Sequence, residues 1–576
     1  MSLTPKQTDI VTIYADLAHK NGRYPSRSDL IKAGVSRDRV RDHFGTMAKL
    51  RAAAIKSIPQ SFENVDKVRE PHPLSDFTKE TLGTIVKEND YQDGIFIITA
   101  AAPVSNLDYT EEQLIAAKNG KDVIGENLHK PGFAAIQNYM KRRDAQLVIL
   151  PMPAHIKALK DQPSHYDPAL LDFKDNFATE FTFNDHLKAI EAFINPQQTN
   201  PITGLKRLKL HKLRPEGDKG EEIKRFKTSI IVAHSKQMLE VVPTGNNSHP
   251  RIIHSTGAIT LPAYLRNRVG MIANEDHKLG ALVVEIEGGV FYLRQIQLDP
   301  KNGSFVDMGK RYHADGKVTE ERAEAFKMGD LHPGHHDSVA LSAMYELWDL
   351  IKPKRIFFED FFDGTSISHH LERKKLTRSK LPVFFKDLPS EIAMAKLVLE
   401  DVWSHAPKDA ELIATASNHP EHVARYLDEG RYLNDNAENY KIAHRMIVMD
   451  LDGKNPLQEY LDPKKKMNWT EENQDYIVQG VQMNSHGHLG INGMRGGKMG
   501  HELAHGDAMV AHSHTPSIFH NTFTVGHMTH ERHGYNNGPS TWILCCGAVY
   551  KGGQKQLYMI VKGKFQRGSG KKKRRG

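Results

Sequence analysis

The sequence contains few cysteines and no long apolar run. Among its 576 residues only Cys545 and Cys546 carry thiols, and their place in the apolar run 542–550 suits buried thiols in a reducing compartment, which excludes a disulfide framework. No run of about 18 apolar residues could span a membrane, and residues 1–20 lack the apolar core of a secretory signal. We therefore expect a cytoplasmic location and no membrane partner.

Basic charge is concentrated at the two ends of the chain. The formal net charge is +8, of which residues 1–57, with 11 Lys/Arg against 5 Asp/Glu, carry +6 and the tail at 571–575 carries +5. The region between them is therefore slightly acidic. Such ends are typical of electrostatic arms that hold a polyanion, although a solvated head and tail would have the same composition.

Residues 1–57 have the pattern of three short helices. An amphipathic stretch over 4–19 is followed by a second helix, a tight turn and a third helix rich in arginine. The segment resembles small helix-turn-helix modules appended to phage-encoded nucleases. The resemblance implies that the third helix lies in the major groove of DNA, with Arg37, Arg39 and Arg41 as contacts. A helical bundle that contacts protein is the alternative.

A polar linker and an α/β region follow. Residues 58–92 are rich in charge, which is typical of a linker. From 93 to 323, strand-like runs alternate with helical stretches, which predicts an α/β domain. The clearest segments are strands at 95–101, 146–151 and 228–233, a helix at 133–142 and a hairpin at 282–298. No spacing of polar residues in this domain predicts a reaction.

The C-terminal region, 324–566, combines α/β alternation with many histidines. Its first part predicts strands at 325–328, 354–358 and 412–416 and helices at 338–351 and 391–403. Polar side chains follow each strand, where open α/β sheets place their sites. A second sheet is predicted from short runs at 477–483, 509–511, 522–525, 543–550 and 556–561. Of the 32 histidines, 19 lie between Phe326 and Ser540, which points to metal chemistry there.

Five ligand-rich segments occur in an order that resembles the calcineurin-like metallophosphoesterase superfamily and, within it, the DNA-repair exonuclease branch. They are Asp330-Leu331-His332, Glu359-Asp360-Phe361-Phe362-Asp363-Gly364, Ser417-Asn418-His419-Pro420-Glu421, His486 or His488, and Ala511-His512-Ser513-His514. The sequence departs from the family at Glu359 and Ala511, where the family has glycine, and on both sides of Asn418-His419. Each segment alone is weak, but five in order are specific.

The resemblance implies an α/β fold: a C-terminal four-layer α-β-β-α sandwich, preceded by the α/β middle domain and the helix-turn-helix. It also implies two metal ions, metal one bound by Asp330, His332, Asp360 and His514, and metal two by Asp360, Asn418, His486 and His512. Asp360 would bridge ions about 3.5 to 4 Å apart. A site rich in both imidazole and carboxylate favours Mn²⁺ over Mg²⁺, with zinc or iron as alternatives.

The implied reaction is hydrolysis of a phosphodiester. Hydroxide held by the metals would attack phosphorus, and His419 would protonate the leaving oxygen or stabilise its charge. In the glycine-rich loop 490–497, backbone amides and Arg495 would contact a phosphate, unless this loop is only a flexible turn.

Together with the basic ends, these motifs predict a Mn²⁺-dependent deoxyribonuclease whose partner is DNA, acting in the cytoplasm of an infected bacterium. One alternative is a phosphatase or cyclic-nucleotide phosphodiesterase. A second is a DNA- or protein-binding factor whose metal site is structural. Endonuclease or exonuclease action and a homo-oligomeric state stay open.

Overall fold

The computed structural model describes two compact units, Met1–Gly83 and Thr84–Gly576. The described residues are 4–21, 25, 27–44, 50, 53, 54, 56–58, 94–102, 104, 126–152, 167–171, 173–177, 180–182, 190–193, 229–244, 250–264, 267–287, 290–372, 374–472, 474–530 and 538–569. The predicted linker, apart from Ile58, and the basic residues 571–575 lie outside them. In the described ranges no helix has the length and apolar character needed to cross a membrane.

Among the described residues of the first unit, the continuous helices are α1 (Pro5–Asn21), α2 (Arg27–Lys32) and α3 (Arg37–Phe44). Apolar residues at helical spacing on α1 pack with Leu30 of α2 and with Val40 of α3. Gly34, with φ 82°, makes the turn between α2 and α3, a backbone angle that glycine adopts without strain. Arg39 Nη2 lies 2.9 Å from Asp9 Oδ2 and so ties α3 to α1.

In the second unit, the described residues from 94 to 320 form twelve strands and three helices. The strands are β1 (Gly94–Ala101), β2 (Ala145–Pro151), β3 (Glu180–Thr182), β4 (Ile190–Phe193), β5 (Ser229–Val232), β6 (Leu239–Val242), β7 (Arg251–Ser255), β8 (Gly280–Glu287), β9 (Val290–Gln297), β10 (Phe305–Asp307), β11 (Lys310–Tyr312) and β12 (Val318–Glu320). The helices are α4 (Lys130–Arg143), α5 (Pro168–Leu171) and α6 (Arg268–Asp276). Strands in the order β2-β1-β8-β9 make a small sheet, and β10-β11-β12 make a three-stranded sheet.

From residue 325 onward, most of the helices precede most of the strands in the chain. The strands are β13 (Ala325–Lys327), β14 (Arg355–Phe358), β15 (Glu411–Ala414), β16 (Met467–Trp469), β17 (Ile477–Val478), β18 (Val481–Gln482), β19 (Ala508–Val510), β20 (Ser517–Phe519), β21 (Thr522–Thr524), β22 (Cys545–Val549) and β23 (Lys555–Met559). The helices are α7 (Ser338–Ile351), α8 (His369–Glu372), α9 (Lys375–Ser379), α10 (Leu388–His405), α11 (Glu421–Asp428), α12 (Ala437–Leu451), α13 (Pro456–Leu461) and α14 (Lys498–His505).

A central sheet of six strands has the order β16-β15-β14-β13-β22-β23. Its first four strands are parallel, as the predicted β-α-β-α-β alternation requires. The runs at 543–550 and 556–561 were predicted in a second sheet, and that prediction is wrong. They form β22 and β23, and β22 pairs antiparallel with β13, Phe326 opposite Ala548. A short apolar strand does not encode its neighbour, which explains the error.

A long sheet of ten strands has the order β17-β18-β19-β21-β20-β6-β7-β5-β4-β3. Strands β6 and β20 pair at Leu239 and Ile518. The sheet thus combines five strands from residues 180–255 with five from residues 477–524. It crosses the boundary expected at residue 323.

Alternate residues of the central sheet face two different cores, as the period of a β-strand dictates. Phe326 and Phe358 join a cluster with residues of α7, α10 and α12. Ala325 and Phe357 instead join the cluster that includes Met509 of the long sheet. Each buried phenylalanine contributes about 1.5 to 3 kcal/mol. Helices, central sheet and long sheet are therefore stacked, and the α/β class predicted from the sequence is confirmed.

Candidate metal centre

The candidate site lies where strands of both sheets end. Asp330 follows β13, Asp360 follows β14, and Asn418 follows β15, all in the central sheet. His486 follows β18, and His512 follows β19, both in the long sheet. Because the carboxyl ends of neighbouring parallel strands meet at one edge, segments far apart in sequence bring their side chains together.

Four of these side chains form a tight cluster. The ligand atoms of Asp330, His332, Asp360 and His514 all lie within 4.8 Å of one another, and all four residues are buried. His514 Nε2 lies 3.1 Å from Asp330 Oδ2, and His332 Nε2 lies 3.4 Å from Asp360 Oδ2. This is the set predicted for metal one, and the cluster could hold a metal ion.

Asp360 lies between two imidazoles. Its Oδ2 is 3.4 Å from His332 Nε2 on one side and 3.4 Å from His486 Nε2 on the other. A carboxylate that bridges two ions needs a separate set of ligands on each side. His486 lies on that second side, whereas His488 Nε2 lies 4.0 Å from Glu421 Oε1.

Two carboxylates orient these imidazoles from behind. Asp363 Oδ1 accepts from His332 Nδ1 at 2.7 Å, and Glu359 Oε2 accepts from His486 Nδ1 at 2.9 Å. Each bond leaves Nε2 directed at Asp360. Carboxylates commonly fix the tautomer and the ring orientation of a metal-binding histidine in this way.

Glu359 is itself held by a buried lysine. Lys327 Nζ lies 2.6 Å from Glu359 Oε1, and both side chains are fully buried. Lys327 also donates to the backbone oxygen of Ser485, one residue before His486. Glu359 thus holds the ring of His486, while Lys327 holds both Glu359 and the backbone next to that ring.

The backbone at the site adopts conformations that most residues avoid. His332 and Asp360 have φ 42°, His512 has φ 67° and His514 has φ 55°. Non-glycine residues in this left-handed region cost about 1 to 2 kcal/mol each. Four of the seven predicted ligands share this strain, which is typical of positions that function fixes.

Several polar atoms of the cluster have no hydrogen bond of good geometry. Within the described ranges, they are Asp360 Oδ1, Asn418 Oδ1 and two atoms that have a charged or imidazole neighbour at 3.1 to 3.4 Å, Asp330 Oδ2 and His486 Nε2. Leaving one such atom unpaired costs about 1 to 3 kcal/mol. Oxygen and imidazole nitrogen are the donors that divalent transition metals prefer. These residues therefore fit a divalent cation.

The pKa values of three residues in the centre are shifted by burial and by their charged neighbours. Burial opposes ionisation of Asp360, but His486 and His419 hold its pKa well below the usual range. Burial also opposes protonation of His332, yet Asp363 and Asp360 raise its pKa to about 9. At His512, burial and then His486 lower the pKa to about 4. A cation must displace the proton of His332, whereas His512 already has its metal-binding form.

A cavity of about 420 Å³ opens over the cluster. Its lining includes Asp360, His419, His512, Arg495 and Lys498. Arg495 is exposed, and its loop is closed by the hydrogen bond from Gly496 N to the backbone oxygen of His488. The cavity therefore has two cationic residues in its lining, beside the carboxylate and imidazole cluster.

His419 lies at the edge of this cavity and is held by one hydrogen bond. Its Nδ1 donates to the backbone oxygen of Asp363 at 2.6 Å, and its Nε2 is 4.0 Å from Asp360 Oδ2. The following helix, α11, has Pro420 as its N-cap and no side-chain cap. The ring of His419 is therefore directed at the centre and does not cap the helix.

The remaining predicted residues have other surroundings. The His512 ring lies 5.2 Å from the His486 ring, and its backbone N donates to Asp330 Oδ1 at 3.3 Å, so His512 borders the cluster. Arg39 is paired with Asp9, and the side chains of Arg37 and Arg41 lie outside the described parts of the chain.

Trp542 is a neighbour of the cluster that the sequence did not indicate. Its ring lies 4.1 Å from that of His514, and it lines the cavity. No spacing signal marks it. The sequence does mark Glu359, because a glutamate stands at the position where the resembled family has glycine.

Comparison with known proteins gives one phage relative. The chain is 29% identical over 358 residues to protein A1 of Escherichia phage T5, and the match covers 58% of this chain and 64% of that protein. It thus spans less than two thirds of that curated relative. No family model matches the chain, and no solved structure matches it significantly. The chain is similar over part of its length to a T5 phage protein, in agreement with the phage-encoded relatives that its motifs indicated.

Proposed function

We propose that the protein is a metal-dependent deoxyribonuclease of the metallophosphoesterase type, with Mn²⁺ as its metal. The observation that carries the proposal is the position of Asp360 Oδ2, 3.4 Å from an imidazole Nε2 on each side. The stacked helices, central sheet and long sheet correspond to three of the four layers expected for the fold of that superfamily. Two bound divalent ions would supply the activated water and neutralise charge at the scissile phosphate.

The side chains of the protein would bind the metal ions, bind the phosphate and donate a proton. Asp330, His332 and His514 hold one side of the centre, and His486, Asn418 and His512 are the candidates for the other. Asp360 joins the two sides. Arg495 and Lys498, both in the lining of the cavity, bind and orient the phosphate. His419, whose Nδ1 donates to a carbonyl, would act as the general acid in its doubly protonated form and give the Nε2 proton to the leaving oxygen.

DNA is the substrate that the distribution of charge favours. Residues 1–57 carry a net +6, and the arginines of α3 suit the recognition helix of a helix-turn-helix. Neutralised phosphates would supply most of the binding free energy. Because the relative is a phage protein, we further propose that the DNA is that of an infected bacterium and that the protein acts in its cytoplasm.

The proposal is tested by nucleotide release from plasmid DNA with and without Mn²⁺, beside hydrolysis of bis(nitrophenyl) phosphate. A nuclease hydrolyses both substrates, and DNA at the higher kcat/KM. Hydrolysis of the small ester alone would instead identify a phosphatase or cyclic phosphodiesterase. DNA binding without hydrolysis of either substrate would identify a binding factor with a structural metal.

A further inference from the structure

We propose an accessory divalent-cation site formed by His488, Glu421 and Glu472, beside the main centre. One ligand atom from each of the three residues lies within 4.8 Å of the others. His488 Nε2 is 4.0 Å from Glu421 Oε1 and 3.8 Å from Glu472 Oε2. Metal bonds of about 2.0 to 2.2 Å place ligand atoms of one ion up to about 4 Å apart. A small contraction would seat an ion between them.

The histidine of this group is buried and has no partner of its own. The His488 side chain is only 8% exposed. Among the described residues neither Nδ1 nor Nε2 of His488 finds a hydrogen-bond partner, and the same holds for Glu472 Oε2. A buried imidazole directed at two carboxylates it does not reach is the arrangement that a cation would complete.

The backbone holds His488 in this place. Gly496 N donates to the backbone oxygen of His488 at 2.8 Å, and Leu489 bridges to Arg495. A Cβ at Gly496 would come within 1.9 Å of the oxygen of Gly487, so only glycine permits this close approach. The position of His488 is thus fixed by the loop, not by its own side chain.

The site has access to solvent. Glu421 and Glu472 both line a cavity of about 940 Å³ at the carboxyl end of β15. The Glu421 side chain is 54% exposed and that of Glu472 is 27% exposed. An ion can therefore enter and keep water ligands on its open side. One imidazole and two carboxylates suit Mn²⁺ or Zn²⁺ better than Mg²⁺.

An ion here has a consequence for substrate binding. Glu421 Oε1 lies 4.0 Å from His488 Nε2, and the His488 ring lies 5.4 Å from the ring of His486, so the carboxylates of Glu421 and Glu472 would add negative charge beside a bound polyanion. A dication would offset both charges and offer a contact for a flanking phosphate. That consequence rests on the proposed function, whereas the binding of the ion does not.

The test is the Mn²⁺ content of the full-length protein after equilibrium dialysis, measured without any substrate. His488→Gln and Glu472→Gln should each bind one ion fewer per chain than the wild type. The control His505→Gln, which removes an exposed imidazole, should match the wild type. Asp360→Asn, which disrupts the main centre, should keep the accessory ion.

Equal Mn²⁺ content in the wild type and both accessory variants would overturn the proposal. Melting temperature in the presence of a chelator shows whether each variant is folded, and Glu472→Gln decides the question if His488→Gln is not. A negative result would leave the nuclease proposal standing, because plasmid hydrolysis tests that proposal separately.

Discussion

His419 and the two carboxylates behind His332 and His486 differ in their contacts, although all lie within one site. His419 touches the region where a substrate would bind, with Nε2 4.0 Å from Asp360 Oδ2. Glu359 and Asp363 lie behind the imidazoles and touch their Nδ1 atoms. Substitutions at these positions should therefore separate chemistry from metal binding.

For His419→Ala we expect turnover on DNA to fall by roughly 10² to 10⁴ fold, the usual range for loss of a general acid. Metal content and melting temperature should stay close to the wild type, because the side chain neither caps α11 nor belongs to the buried core. The loss should be smaller for a nitrophenyl phosphodiester, whose leaving group needs no proton. An equal loss on both substrates would argue against proton donation.

For Glu359→Ala we expect the affinity for Mn²⁺ to fall by about 10 to 100 fold, since the ring of His486 loses its orienting partner. The variant should also be destabilised by roughly 3 to 5 kcal/mol, because Lys327 is left buried and unpaired. Adding Lys327→Met should restore much of the stability and none of the metal affinity. Recovery of both in the double variant would show that Glu359 serves the fold alone. Metal titration and urea unfolding give the two readouts.

At the scale of elements, the sequence predicted the helices and strands whose polar and apolar pattern is complete within a short segment. The helix predicted at 338–351 coincides with α7, where Asp337 caps the first turn and an apolar stripe faces the core. The strand predicted at 354–358 is β14, Arg355–Phe358. The pairing of strands was less predictable. Strands β22 and β23 belong to the central sheet, because the partner of a short strand depends on packing against residues that are distant in sequence.

The helices of the first unit give an element-scale prediction. Removal of residues 1–57 should weaken DNA binding and flatten its dependence on salt, because fewer phosphates are neutralised. Hydrolysis of a small phosphodiester should persist, since residues 1–83 form a compact unit of their own. Binding measured at two salt concentrations checks the prediction. Unchanged affinity at both would indicate that the module contacts protein.

At the scale of the whole molecule, a buried ionic network joins the small sheet to the central sheet. Arg294 of β9 binds Asp307 at 2.8 Å and Glu285 at 2.7 Å. Gln556 of β23 donates to Asp307 Oδ1 at 2.9 Å. This network and the shared long sheet make one unit of residues 84–576. A separate middle domain was expected from the change in sequence pattern along the chain. Such a change carries no information about which strands share a sheet.

Asp307 should make stability depend on pH. Burial opposes its ionisation, but Arg294 outweighs burial and lowers the pKa of Asp307 from its ordinary value of 3.8 to about 2. A folded pKa below the unfolded one contributes stability above about pH 4 that is lost as the pH falls towards 2. Asp307→Asn should be destabilised by roughly 3 to 5 kcal/mol at pH 7, since Arg294 loses its charge partner. The difference in urea midpoint from the wild type should narrow below pH 4, and a constant difference would contradict this role.

The sequence predicted four of the residues that cluster at the site, but not the residues that support them. The order of motifs indicated Asp330, His332, Asp360 and His514, and these four lie together. The sequence does not indicate Lys327 or Trp542, because a single lysine in a strand and a single tryptophan in a loop form no periodic pattern. Their roles depend on three-dimensional contacts alone.

The most direct test of the central claim is bound Mn²⁺ and DNA turnover measured on one preparation each of wild type and Asp360→Asn. Losing the charge between two dications removes the main offset to their repulsion. The variant should therefore bind fewer ions and lose DNA hydrolysis at an unchanged melting temperature in chelator, whereas the exposed control Asp349→Asn should behave as wild type. Wild-type hydrolysis by Asp360→Asn in Mn²⁺ would contradict the account.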